Sequence, residues 1–182
     1  MIVGITGSFG AGKGAIVDYL VSKKGFTHYS ASAFITEEII RRKLPVNRDS
    51  MIEVGNDLRA NFGPAYIVET LYLHAKEAGG DAVIESLRAI AEVIKLKELG
   101  GIIIGVDAEP KIRYERSVLR GSEKDAVTYD KWLEQEKIEN NPNDPTKHNI
   151  FGALKMSDYT ILNNGTLEEL HTQIEAFLKK FS

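Results

Sequence analysis

The chain has 182 residues, 43% hydrophobic and 27% charged, enough for one sizeable core and too few for two full domains. A net charge of -3 argues against a surface built for nucleic acid. The absence of cysteine excludes disulfides, thiolate metal centres and a cysteine nucleophile.

Read in chain order, short apolar runs alternate with longer stretches of helical spacing, the pattern of an α/β protein with a parallel sheet. Met1 leads straight into a first strand, Ile2 to Thr6, so neither a signal peptide nor a membrane partner is expected and a cytoplasmic setting is. A helix follows from Lys13 to Ser22, then a strand from Phe26 to Tyr29. Three helices come next, at Ala31 to Lys43, Asp49 to Asn61 and Ala65 to Ala78. A third strand at Ala82 to Glu85 precedes a helix at Ala89 to Leu99, and a fourth at Ile102 to Asp107 precedes helices at Lys111 to Leu119, Tyr129 to Glu139 and Asn149 to Met156. The fifth strand, Tyr159 to Leu162, leads to a last helix, Leu167 to Phe181, opened by a capping box of Thr166 and Glu169 after the turn Asn164-Gly165. The third, fourth and fifth strands are expected inside the sheet, because runs such as Ile102-Ile103-Ile104 show no alternation. Asn140 to His148, polar and broken by Pro142 and Pro145, reads as an exposed loop.

The chemistry concentrates at Gly7-Ser8-Phe9-Gly10-Ala11-Gly12-Lys13-Gly14. Glycines let the backbone turn its N–H groups inward onto phosphate oxygens, the following helix adds its positive end, and Lys13 reaches the outer phosphates. The strand before it and the amphipathic segment after it (Ile16, Val17, Leu20, Val21) supply the setting this device needs. A ligand-free glycine turn is the alternative. Gly14 stands where such loops place a hydroxyl, and Ala15 adds none.

With Gly12-Lys13-Gly14 in place of Gly-Lys-Ser, this stretch resembles the phosphate loop of adenylate kinases, within the P-loop nucleoside monophosphate kinase family. Later segments are similar to dephospho-CoA kinases. The resemblance implies a three-layer α/β/α P-loop NTPase fold over residues 1–182, with a five-stranded parallel sheet in the order 2-3-1-4-5. It also implies a helical acceptor insertion near 31–78 and a short lid near 121–148. It implies ATP and Mg²⁺ as cofactors, with Gly7, Ser8, Phe9, Gly10, Ala11, Gly12, Lys13, Gly14 and Ala15 around the phosphates. Without a loop hydroxyl the metal would sit on ATP oxygens and waters, steadied by a distant carboxylate.

All eight arginines lie between Arg41 and Arg120, which suggests a local anion site in an acidic protein. Glu85, at the end of a buried strand, falls where the family keeps a carboxylate that orients hydrated Mg²⁺, and Arg88 where it keeps an arginine on the transferring phosphates. A plain strand-end acid capping the next helix is the other reading of Glu85. Arg116 and Arg120, four residues apart on one helical face, match arginines that grip ATP, unless they pair with Glu109, Glu115 or Glu123. Arg113 points elsewhere and is expected in solvent. Asn163, Asn164 and Gly165 match a turn that lies against adenine, or form only a helix cap. Arg59, with Arg41 and Arg42 as helpers, is the candidate for the acceptor phosphate, although Ala33 and Thr36 replace the family's usual aspartate and arginine. Tyr29, Tyr66 and Tyr72 line an acceptor pocket or pack the core; Trp132 packs the lid helix. The four histidines show no metal-ligand spacing.

The implied activity is transfer of the ATP γ-phosphoryl group to a nucleoside or deoxynucleoside monophosphate. Dephospho-CoA kinase and a nucleotide-binding regulator with little catalysis are the alternatives. The expected partner is a small nucleotide acceptor, with no nucleic acid, and the chain is expected as a monomer or homodimer.

Overall fold

A computed structural model describes residues 1–119, 128–139 and 149–182. Five parallel strands form one sheet in the order β2-β3-β1-β4-β5. They are β1 (Ile2–Gly7), β2 (Thr27–Ser30), β3 (Ala82–Leu87), β4 (Ile102–Asp107) and β5 (Tyr159–Leu162). The order and the three-layer α/β/α architecture agree with the expectation from sequence. The expected interior position of the fifth strand does not, because β5 is an edge and β1 is the centre. With only β4 beside it, β5 leaves Leu162 58% exposed.

Period-two alternation assigns the strand side chains to two cores. Val3, Ile5, Val83, Ile104, Val106 and Ile161 pack on one face against α1 (Lys13–Lys24) and α9 (Leu167–Phe181). Ile84, Leu87 and Ile103 face α2 (Ala31–Arg41), α3 (Arg48–Phe62), α4 (Tyr66–Ala78) and α5 (Ile90–Glu98). Gly4, in β1, allows that second layer to close, since a Cβ there would stand 2.3 Å from Leu96 Cδ2. The predicted capping box at α9 forms: Glu169 N–H donates to Thr166 Oγ1 at 3.3 Å and Thr166 N–H to Glu169 Oε2 at 2.8 Å.

The remaining helices are α6 (Pro110–Leu119), α7 (Tyr129–Glu139) and α8 (Ile150–Lys155). α2, α3 and α4 together form a helical segment inserted between β2 and β3, at the place expected to bind the acceptor. Of the expected lid, α7 is described, whereas residues 120–127 and 140–148, including Arg120 and the predicted loop, lie outside the described residues.

One irregularity sits at the carboxyl edge of the sheet. Pairing of β1 with β3 steps from Ile5–Glu85 to Thr6–Leu87, leaving Ser86 as an extra residue at φ 78°. A side chain in that left-handed region costs about 1 kcal/mol. The bulge re-aims the chain just after Glu85.

Candidate functional site

The segment between β1 and α1 turns twice through backbone that disfavours side chains, at Gly10 (φ 77°) and Gly12 (φ 95°). Space is short as well. A Cβ on Gly10 would meet the Arg113 carbonyl at 2.4 Å, and one on Gly12 would meet Asn163 Nδ2 at 2.3 Å. The Lys13 ammonium folds back over the loop, donating to the carbonyls of Gly7 at 2.7 Å and Ser8 at 3.0 Å. Beneath it the hydroxyls of Thr6 and Ser8 are buried without a hydrogen-bond partner among the described residues. Buried polar atoms of that kind are costly unless something supplies the missing bond. Gly14 has open space around its Cβ position, so packing does not dictate the missing hydroxyl there.

Two long-range side chains hold the outside of this loop. Arg113 donates through Nε to the Ala108 carbonyl at 2.9 Å and through Nη1 to the Phe9 carbonyl at 3.3 Å, and it pairs through both terminal nitrogens with Glu136 of α7. Trp132 lies over the guanidinium at 5.1 Å and beside Phe9 at 6.5 Å between ring centroids. The expectation of a solvated Arg113 is therefore overturned: its side chain is 4% exposed, because α7 covers the face of α6 that looked free from helical spacing alone. Asn163, at the end of β5, donates Nδ2 to the Ala11 carbonyl at 2.8 Å. Its own carbonyl accepts from Arg116 Nη1 at 2.8 Å. Arg116 makes no ion pair among the described residues, so the alternative of pairing with Glu109 or Glu115 is not realised there. The turn is more than a helix cap, since Asn164 Oδ1 also accepts from Glu109 N–H at 2.8 Å.

On the other side of β1, Glu92 is 3% exposed. Its Oε2 accepts the N–H groups of Arg88 and Ala89, at 2.8 and 3.0 Å, and its Oε1 stands 3.7 Å from Arg59 Nη2. Glu92, and not Glu85, caps the helix after β3. Glu85 meets His28 Nε2 at 3.0 Å. The Arg88 side chain has no ion pair or hydrogen bond among the described residues and is exposed. Arg59 and the backbone of Arg88 thus converge on one buried carboxylate, while the other candidates do not join them. Arg41 binds Glu38, as does Arg42, which also reaches Asp57 at 2.7 Å. Arg41 first and Arg42 second hold the Glu38 carboxyl down at about 2. Tyr72 is buried, its hydroxyl donating to the Leu99 carbonyl, and Tyr66 stacks on Phe62 at 4.6 Å.

A separate concavity of about 360 Å³, lined by Met1, Lys24, Asp81 and Glu175 among others, opens at the amino ends of the strands. Four of its charged groups already pair, Met1 with Asp81 and Lys24 with Glu175, and in parallel α/β sheets ligands bind at the opposite edge.

A model of the AAA domain family, AAA_18, matches residues 3–141. The chain belongs to this family. Its architecture is that of the P-loop kinases. It is 27% identical over 187 residues to a UPF0200 protein of Thermococcus gammatolerans, covering 99% of this chain and 95% of that one. To a UPF0200 protein of Thermococcus kodakarensis it is 29% identical over 182 residues, covering 96% and 95%. Among solved structures, a shikimate kinase from Bacteroides thetaiotaomicron superposes with a TM-score of 0.59 at 12% identity, over 100% of this chain and 98% of that one. A gluconokinase from Sinorhizobium meliloti gives 0.54 at 14%, over 98% and 91%. At those identities the likeness is one of fold.

Sequence reasoning missed Glu92, Glu136 and the contacts of Arg113. Glu92 stands three residues after Ala89, the spacing of a capping box without its hydroxyl, which was the available signal. Nothing local links residues 113 and 136.

Proposed function

We propose that the chain is an ATP-dependent phosphotransferase that moves the γ-phosphoryl group of Mg·ATP to a small nucleotide, with a nucleoside or deoxynucleoside monophosphate as the first acceptor to test. The observation that carries this reading is the turn of Gly10 and Gly12 closed by the Lys13 ammonium, at the carboxyl edge of the parallel sheet where ligands of such folds bind. In the reaction the bond from the γ phosphorus to the oxygen of departing ADP breaks, and one to the acceptor oxygen forms. Positioning and charge neutralisation supply most of the catalysis in such transfers.

Lys13 serves the β and γ oxygens, the loop amides from Ser8 to Ala15 surround the phosphates, and the turn at Asn164 and Gly165 meets the base. Arg88 and Arg116, joined by Arg120, take the charge that develops in transfer. Arg59, paired with Glu92, and Arg88, whose backbone N–H the same carboxylate holds, hold the acceptor phosphate. Arg41, bound to Glu38 and 74% exposed, has no part in this arrangement.

Magnesium fits the residues present in a limited way. No group of three or more His, Cys, Asp or Glu side chains that could hold a metal occurs among the described residues, so the ion would arrive on ATP and meet Glu85 through water. When bound it would screen the phosphate charge. Glu85, steadied by His28, is the described acid at that strand end.

The same pair favours a second reading, a dephospho-CoA kinase, in which a hydroxyl acceptor needs a nearby group to take its proton. A nucleotide-binding regulator is the third reading. Incubation with Mg·ATP and a panel of NMPs, dNMPs and dephospho-CoA separates them: ADP formed with one acceptor alone names it, and ATP binding without any product supports the regulator and refutes the kinase. No helix among the described residues is long and apolar enough to cross a membrane; a cytoplasmic setting and a monomeric or homodimeric state belong to the proposal.

A further inference from the structure

We propose that Asn163 is a positioning residue that couples recognition of the nucleoside to recognition of the phosphates, a role that rests on the ATP-binding reading above. In a trans peptide unit the carbonyl of one residue and the N–H of the next point in opposite directions. Asn163 Nδ2 holds the Ala11 carbonyl at 2.8 Å, which turns the Gly12 N–H the other way, away from Asn163. Arg113 does the same one turn earlier, holding the Phe9 carbonyl and directing the Gly10 N–H.

Asn163 differs from Arg113 in what else it carries. Its main-chain N–H donates to the Asp107 carbonyl at 2.8 Å and its carbonyl accepts from Arg116 at 2.8 Å. The residue is 6% exposed, and it directly precedes Asn164 and Gly165. One side chain therefore fixes the distance between the turn that meets the base and the amides that meet the phosphates. A ligand with both parts gains from that fixed spacing, because two contacts held at the right separation add without a further ordering cost. A ligand with phosphates alone gains only the loop geometry.

The test is a titration of the full chain with Mg·ATP and, separately, with inorganic tripolyphosphate, which has no nucleoside. Asn163→Ala should weaken ATP about tenfold, the scale of one buried hydrogen bond, and tripolyphosphate by no more than about threefold. Asn163→Leu keeps a similar side-chain volume, adds no charge and removes the donor, so it should give the same split; it decides the matter if the alanine variant does not fold. Equal losses for both ligands, or wild-type ATP affinity in a folded variant, overturn the coupling while leaving the phosphotransferase reading intact. A wild-type chain that binds neither ligand removes that reading and the coupling with it.

Discussion

On the nucleotide side of the sheet, the phosphate loop is held by Arg113 and Asn163, which reach carbonyls 104 and 152 residues away in the chain. On the acceptor side, Arg41 and Arg42 are held by Glu38 and Asp57 within the same pair of helices. Both sets satisfy polar groups, yet they constrain different things. Long-range ties from separate elements fix a loop before any ligand arrives, which is the condition for electrostatic catalysis. Local ion pairs neutralise charge within the α2 and α3 segment without tying it to the phosphate loop. On the proposed function, ATP recognition would be built into the fold, whereas acceptor recognition would rest on few groups, chiefly Arg59, paired with Glu92, and Arg88.

The sharpest way to break that contrast is at Arg113. Arg113→Ala would remove a guanidinium 4% exposed that holds the Ala108 and Phe9 carbonyls and pairs with Glu136, a loss of about 3 kcal/mol on the scale of hydrogen bonds to a charged group. Urea unfolding should show that loss; a change under about 1 kcal/mol, the scale of a surface pair, would mean that the loop is not held from outside. Next in size is Lys13→Ala, which should lower turnover by roughly 10²-fold or more, the effect of removing a preorganised donor, and near-normal turnover would refute its role. On the acceptor side, Arg59→Ala should raise the acceptor KM about tenfold, as loss of a hydrogen bond to a charged group does. Arg41→Ala should stay within about twofold because its pair is exposed. Equal effects from the two would erase the distinction drawn between them.

The smallest effect concerns acid. Glu38 is held at about 2, below its ordinary 4.5, by Arg41 and then Arg42. A depressed carboxyl contributes stability fully above pH 4.5 and loses it as pH falls through about 2. Glu38→Gln should therefore flatten part of the stability profile in that window and nowhere else. An acid profile identical to wild type in thermal unfolding would remove the pair from the account.

Much of this was legible in the residues because it is punctuated locally. Gly7 to Lys13 announces a loop between an apolar run and an amphipathic one, and Thr166 with Glu169 announces α9; both formed as expected. The edge position of β5 was not legible from its run of residues, since four positions from Tyr159 to Leu162 offer too little alternation to separate one covered face from two. Arg113 was misjudged for a related reason. Helical spacing reports which residues share a face, but only the arrival of α7, with Trp132 and Glu136, decides that the face is buried. Asn163 stood in view as a turn residue. Its side-chain bond to Ala11 exists only once β5 lies beside β4 and brings the end of the sheet against the loop.

Calorimetric titration of Mg·ATP into the wild-type chain and into Lys13→Ala tests the central claim most directly. Saturable binding to the wild type is expected, weakened about tenfold or more in the variant, as for a hydrogen bond to a charged group. A wild-type chain that takes up no ATP, or a variant that binds it equally well, would contradict the claim that this loop is a triphosphate cradle.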